Sequence, residues 1–291
     1  METFFPQHST FIWKDEPMIL LVASRKDTAG LNIAKQILNH YPFSKTGETF
    51  QENPTYSTDI NRRKVTLVTL KEKTINAQNL PDSFADLDLI VFLSRHSSAS
   101  GTPTLSVHTP GNFGAAELGG LPRKVSVSPA TALRDALKAL MRFKEEMKLN
   151  YEVSYECTHH GPSLNVPAMF VELGSSEKQW NDLKAAEAVA RAAMEAIVKF
   201  GVSENVAVLG IGGPHYNQRF TKMALEDKLI FGHIIPKYAV QWVDPEILSQ
   251  CVEKTVEKVE CAILDWKGIK SQDKAKLLAA LQEIRLPYKK I

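Results

Sequence analysis

Cysteine is scarce in this chain. Cys157, Cys251 and Cys261 are an odd, widely spaced set with no CxxC pair. That excludes a disulfide framework and points to a reducing, cytoplasmic compartment. Long apolar runs are also lacking. The first clean one, Met18 to Ala23, is far short of the ~20 residues a membrane helix needs. Residues 1–17 carry Glu2, Asp15 and Glu16 and lack the charged-then-apolar order of a signal peptide. An excess of one charge is missing too. With 35 basic and 33 acidic residues the net charge is +2. This excludes a globally basic nucleic-acid binder and leaves only a local patch to hold RNA. There is no internal repeat, no GxxxxGK[ST] phosphate loop, no GxSxG elbow and no HExxH zinc motif. Gly210-Ile211-Gly212-Gly213 opens like a dinucleotide fingerprint, but His215 stands where its third glycine belongs.

What is present is ordinary globular material: 291 residues, 44% apolar and 23% charged, enough for a sizeable core. Residues 1–17 read as an extension and 18–291 as one continuous α/β domain. Met18 to Ala23 reads as a buried strand. A helix follows from Asp27 or Thr28, its cap, to Tyr41, stopped by Pro42. The stretch from Phe43 to Arg63 is polar, with weak strand signals. Further strands are expected at Val65–Leu70, Leu87–Leu93, Thr104–His108, Tyr151–Cys157, Ala168–Leu173, Val206–Ile211 and Leu229–Phe231. A second helix starts at a Ser128-Pro129 cap and carries the stripe Leu133, Leu137, Leu140, Met141. A third starts at Ser175 or Ser176, with Trp180, Leu183, Ala186, Ala190 and Ile197 on one face and Gly201 at its end. A fourth starts at Asp244-Pro245, with Ile247, Leu248, Cys251, Val252, Val256 and Val259 on one side. A last helix, near Gln272 to Ile284, leads to a basic tail, Lys289-Lys290. Alternating strands and helices imply an α/β fold, a mixed and largely parallel sheet between helical layers.

Chemistry concentrates in the turns. Six of the eight histidines follow or interrupt apolar strands in Gly-, Pro- or Ser-rich loops: His96, His108, His159, His160, His215 and His233. Ligands of open α/β sheets bind at strand carboxyl ends, so these loops together predict a polyhistidine cleft. Glu172 interrupts the apolar run Ala168–Leu173, and a buried carboxylate there must be paired or bound. Glu156 stands three residues before His159, but Glu152, Ser154 and Glu156 alternate as a water-facing edge would. Imidazoles and a carboxylate are zinc-type ligands, although no compact spacing marks a metal site. His159 and His160 reach one site only if the chain turns at Gly161-Pro162. Cys157, two residues from His159, is a poorly placed nucleophile. Loop glycines offer backbone amides to an oxyanion.

Taken in order, Leu20-Leu21-Val22-Ala23-Ser24 with Asp27-Thr28-Ala29-Gly30, Leu93-Ser94-Arg95-His96-Ser97-Ser98, His108-Thr109-Pro110-Gly111-Asn112, Thr158-His159-His160-Gly161-Pro162, Gly210-Ile211-Gly212-Gly213-Pro214-His215-Tyr216 and Phe231-Gly232-His233 resemble the archaeal and plant type of D-aminoacyl-tRNA deacylase. The resemblance runs from about residue 18 to the end. It implies a monomeric α/β enzyme similar to peptidyl-tRNA hydrolases and phosphorylases. Its reaction would be hydrolysis of the ester between a D-amino acid and the 3′ end of tRNA, including aldehyde-modified forms, with zinc as cofactor. On this reading His96, His108, His159, His160, Glu172, His215 and His233 are the catalytic set. Ser94, Arg95, Gly111, Asn112, Gly212 and Gly213 are the substrate-binding set, and His96, His159, His160 and Glu172 are the metal ligands. No DNA and no membrane is involved. The acceptor stem would need a local patch, for which Arg123-Lys124, Arg134, Lys138 and Arg142 are candidates. Two rival readings stay open: a phosphorylase-like or metal-dependent enzyme on a free small molecule, and a non-catalytic RNA-binding module.

Overall fold

The computed structural model describes residues 18–201 and 205–291; the expected extension 1–17 lies outside the described residues. In chain order the elements are β1 (Met18–Ser24), α1 (Thr28–His40), β2 (Ser44–Phe50), β3 (Asn53–Ile60), β4 (Arg63–Leu70), β5 (Leu87–Arg95) and β6 (Thr104–His108). There follow α2 (Ala130–Glu146), β7 (Glu152–Tyr155), β8 (Ala168–Gly174), α3 (Glu177–Trp180), α4 (Leu183–Lys199), β9 (Ala207–Ile211) and α5 (Gln218–Leu225). The chain ends with β10 (Phe231–Ile235), α6 (Pro245–Glu253), β11 (Val259–Leu264), α7 (Ser271–Glu283) and β12 (Tyr288–Lys290).

Two sheets form. The larger has eight strands in the order β2-β3-β4-β1-β5-β8-β6-β7. Its centre, β4-β1-β5-β8, is parallel. The β2-β3-β4 edge is antiparallel, and β6 with its parallel partner β7 runs against β8. The smaller sheet, β10-β9-β11-β12, is wholly parallel.

Strict alternation sorts the central strands between two cores. Ile19, Leu21, Ala23, Leu89, Val91 and Leu93 pack with α1, α2 and α4, while Leu20, Val22, Ile90 and Phe92 face Ala77, Leu80 and Leu164 on loops and short 3₁₀ turns. Both faces are apolar, which is why β1 and β5 read as unbroken apolar runs. The first core continues onto β9, β10 and β11 through Val208, Phe231, Ile234 and Ile263; α6 and α7 cover the opposite face of the small sheet through Ile247, Leu248, Leu277 and Leu281. Gly210 permits close packing there, since a Cβ would lie 2.8 Å from the Phe220 ring.

Local signals set α1 as expected. Asp27 caps it by accepting from Gly30 N at 2.9 Å. Elsewhere tertiary partners displaced local ones. Ser128 does not cap α2; its hydroxyl bonds Thr109, and the Glu257 carboxylate accepts from Ala130 N and Thr131 N at 2.9 and 2.8 Å. The helix expected from Ser176 breaks after Trp180. Asp182 then caps α4 by accepting from Lys184 N and Ala185 N, leaving Leu183 exposed rather than in the apolar stripe. The Asp244 helix stops at Glu253, so Val256 and Val259 do not extend its face. Backbone bonds from Ser128 N to Lys254 O and from Val256 N to Ser128 O pull the chain into extended pairing, and Val259 opens β11. The basic tail Lys289-Lys290 belongs to edge strand β12.

Candidate functional site

The polar cluster lies where the two strand directions of the large sheet meet. Because β6 runs against β8, Ser106 pairs with Glu172 and His108 with Phe170. Side chains across one register share a face. Glu172 and His108 therefore share the loop-covered face, which carries Phe92 and Phe170. Ser154 pairs with Ser106, so the next residue on that face of the chain leaving β7 is Glu156. His96 follows β5, His159 and His160 follow β7, and His215 follows β9. The expected cleft therefore draws histidines from strands of opposite direction, not from one row of carboxyl ends.

Glu156 is the hub. It is 1% exposed, so its alternation with Glu152 and Ser154 does not face water. Its Oε2 accepts from His215 Nε2 at 2.8 Å and lies 3.7 Å from His159 Nε2. Its Oε1 is 3.2 Å from His96 Nδ1, an ion contact outside hydrogen-bond geometry. Glu172, 3% exposed in a central strand, stands 3.6 Å from His96 Nδ1 and 3.8 Å from His108 Nε2. His96 Nε2 also meets the Tyr216 hydroxyl, and the Trp180 indole donates to the His96 carbonyl at 2.8 Å. Cys157 Sγ is 3.2 Å from His215 Nδ1, and the Tyr238 hydroxyl touches both.

Electrostatics divides the cluster in two. Burial opposes charge on His96, but Glu156 and then Glu172 outweigh it and raise its pKa to about 10. Burial likewise opposes charge on His215, while Cys157 and Glu156 raise it to about 10. Burial would lift the Glu156 carboxyl, yet its contacts with His215 and His96 hold it well below the usual range. The other half is neutral. Burial, then His108, pushes His160 down to about 4, and burial with the neighbouring imidazoles pushes His159 well below its ordinary value.

The neutral half fits a metal. His159 Nδ1 donates to the Cys157 carbonyl at 2.8 Å, His160 Nδ1 to the Gly161 carbonyl at 2.7 Å, and His108 Nδ1 faces the Thr109 carbonyl at 3.3 Å. For His159 and His160 the tautomer is thereby set, leaving an Nε2 lone pair free, as backbone carbonyls do behind metal-bound imidazoles. His108 Nε2 is buried with no hydrogen-bond partner. Ligand atoms of His108, His159 and His160 lie within 4.8 Å of one another. This grouping differs from the expected ligand set. His96 and Glu172 group instead with Glu156, and Cys157 and His215 group with His159. His159 and His160 do reach one site, because the chain turns at His160 (φ +43°).

Not every expected residue joins. His233 is fully buried, with Thr158 Oγ1 3.1 Å from Nδ1 and the Lys254 carbonyl 3.1 Å from Nε2. Among the described residues, none of its hydrogen bonds is with the other five histidines. Ser94 Oγ and Arg95 N donate to Asp27 Oδ2, anchoring the end of β5, and the Arg95 guanidinium lies over Trp180 at 4.9 Å. Asn112 Nδ2 donates to the Gly119 and Leu121 carbonyls and shapes its own loop. Gly111 N is taken by the His160 carbonyl at 2.7 Å, and Gly212 N by the Ile235 carbonyl at 2.8 Å. Those two amides do not point at an oxyanion. Gly213 has φ +77°, and its carbonyl accepts from Lys237 N. The cations expected to form a local basic patch, two before α2 and three on it, are paired: Arg123 with Asp244, Lys124 with Glu246, Arg134 with Asp135, Lys138 with Asp227 and Arg142 with Glu195. Sequence reasoning left Glu156, Tyr216 and Tyr238 out of the site. Only the spacing of Glu156 to His159 offered a signal.

His233 makes a direct test of its placement. Burial depresses its pKa to about 4, so the native state keeps it neutral. Below pH ~6.5 the unfolded chain gains a proton that the native chain refuses, so stability falls as pH drops from there towards 4. We expect His233→Ala to cost about 2–3 kcal/mol in chemical unfolding at pH 7, with turnover below the melting range within about threefold of wild type. Lost turnover at unchanged stability would return His233 to the reacting set.

A buried histidine–carboxylate cluster with charged and neutral halves, opening at half-buried His159 and His215, has the groups of an acid–base candidate site on an α/β scaffold. A family model described as D-aminoacyl-tRNA deacylase matches residues 83–289. The D-aminoacyl-tRNA deacylase of Thermococcus onnurineus is 34% identical over 277 residues, 93% of this chain and 99% of that one. That of Methanosarcina mazei is 34% identical over 279 residues, 92% of this chain and 90% of the other. The crystal structure of a conserved protein of unknown function matches with a TM-score of 0.83 at 31% identity, covering 96% of both chains. This chain belongs to the D-aminoacyl-tRNA deacylase family. No helix among the described residues is long and apolar enough to cross a membrane.

Proposed function

We propose that the chain hydrolyses the ester between a D-amino acid and the 3′ end of tRNA, as a cytoplasmic monomer. Family membership supports this reading, and three free cysteines suit a reducing compartment. The observation that carries it is the split cluster: two imidazoliums held by Glu156 beside neutral His159 and His160, whose Nδ1 atoms are taken by backbone carbonyls. Ester hydrolysis needs both kinds of group. A proton must leave the attacking water, and another must reach the departing ribose oxygen.

His108, His159 and His160 would hold zinc, which supplies Lewis-acid polarisation of an oxygen and lowers the pKa of water. Glu172, with Oε2 between His96 and His108, is placed to take the proton from the water. His215 holds its proton at Nδ1 near the half-open mouth and gives it to the ribose oxygen. His96 Nε2 donates to the Tyr216 hydroxyl, which leaves the phenol proton of Tyr216 as a donor for developing negative charge. Glu156 touches His96 and His215, keeps both charged and sets their orientation.

Paired kinetics on D- and L-tyrosyl-tRNA test the reading. Release from the D ester should exceed release from the L ester by ~10²-fold or more, the usual scale for a selective polar site. Equal cleavage of both, or of neither, overturns it.

A further inference from the structure

The five cations expected to hold the acceptor stem are already paired with carboxylates. A different surface retains its charge. Residues 265–291 hold seven Lys and Arg against three Asp and Glu, a net +4 in a chain of net +2. Among the described residues none of these seven cations is ion-paired. Lys274 Nζ and Lys290 Nζ instead stand 4.5 and 3.9 Å from the Trp266 ring centroid. An aromatic face orients an ammonium group without cancelling its charge, whereas a carboxylate cancels it.

The topology ties this surface to the site. All four strands of the small sheet are parallel, in the order β10-β9-β11-β12, so their carboxyl ends form one row. Along that row stand Lys237 and Tyr238 after β10, His215 after β9, Trp266 and Lys267 after β11, and Lys290 ending β12. Backbone bonds knit it together: Lys237 N to Gly213 O, Asp265 N to Ile211 O and Trp266 N to Ile291 O. A Cβ on Gly268 would lie 2.9 Å from Gly213 N, two residues before His215, so the two loops touch. Lys237, Lys267 and Lys290 are exposed.

We infer that this carboxyl-end rim, from Lys237 through Lys267 to Lys274 and Lys290, is the surface on which the phosphate backbone of the tRNA acceptor arm lies. The inference rests on the tRNA-ester reading for its substrate. Phosphates would lie along the cationic row as the 3′ end enters at His215.

The test is Lys274→Gln with Lys290→Gln, against a control of Lys138→Gln with Arg142→Gln on α2. Binding of uncharged tRNA is read by titration at several salt concentrations, and turnover is read on D-tyrosyl-tRNA and on D-tyrosyl-adenosine, which lacks the acceptor stem. The rim variant should raise Kd and KM for tRNA roughly tenfold near 0.1 M salt and flatten the slope of log K against log salt by about 1.5–2. Its turnover of D-tyrosyl-adenosine should match wild type, and the α2 control should bind tRNA as wild type does. An unchanged Kd and salt slope in the rim variant, or equal weakening in the α2 control, overturns the assignment. A wild type that binds tRNA but releases no amino acid sinks the hydrolase reading alone, and the binding comparison still decides the surface.

Discussion

Glu156→Gln should lower kcat/KM for D-aminoacyl-tRNA by about 10³-fold, within the range for loss of acid–base support. The amide keeps the carboxylate's shape and removes its charge. In the native site that charge accepts from His215 Nε2 at 2.8 Å and lies 3.2 Å from His96 Nδ1. Burial opposes the imidazolium form of both histidines; Glu156 and Glu172 overcome it at His96, and Cys157 and Glu156 at His215. Without Glu156 burial prevails at His215, its donor proton is lost, and the ribose oxygen departs unprotonated. His215 loses its charge together with Glu156, while Glu172 stays paired with His96, so no uncompensated ion remains to unfold the chain. The melting temperature should therefore move by only a few degrees. Glu152→Gln, at the exposed start of the same strand, is the control and should leave turnover within twofold. Near-normal turnover in Glu156→Gln would remove the charged half of the cluster from the chemistry.

The second large effect is expected at His108. Its ring stacks on Phe170 at 4.9 Å and 7°, and its buried Nε2 has no hydrogen-bond partner, Glu172 Oε2 standing 3.8 Å away. An unpartnered buried nitrogen is costly unless something binds it. We expect wild type to carry about one zinc per chain and to lose ~10²-fold or more of its turnover on chelation, recovering on zinc addition. His108→Ala should retain under about a tenth of that zinc by elemental analysis, with turnover lowered to match and not restored by added zinc. Full activity of a chelated, metal-free wild type would discard the metal and leave the neutral imidazoles as bases.

Much of the fold was legible because the deciding interactions were local. Asp27 announced α1, as its carboxylate caps the amide three residues ahead. The apolar runs of β1 and β5 announced central strands, as both their faces are covered. The turn after Cys157 was legible in Gly161-Pro162, and the loop histidines in their repeated context. Legibility ended where a partner came from far along the chain. Glu257 caps α2 from 127 residues away, and the break before α4 is set by Asp182, whose carboxylate also bonds the Tyr151 hydroxyl.

The same limit divides the site. By itself the sequence singled out six loop histidines and Glu172, because residue type and local strand context carry that information. His96, His108, His159, His160, Glu172 and His215 do meet. Only the tertiary structure decided that Glu156 is the hub, that His233 stands apart and that the α2 cations are already neutralised. Alternation along a strand tells which residues share a face but not what covers that face. Here an antiparallel β6 beside β8 set Ser154 and Glu172 each opposite Ser106, and the incoming His215 loop sealed Glu156 from water.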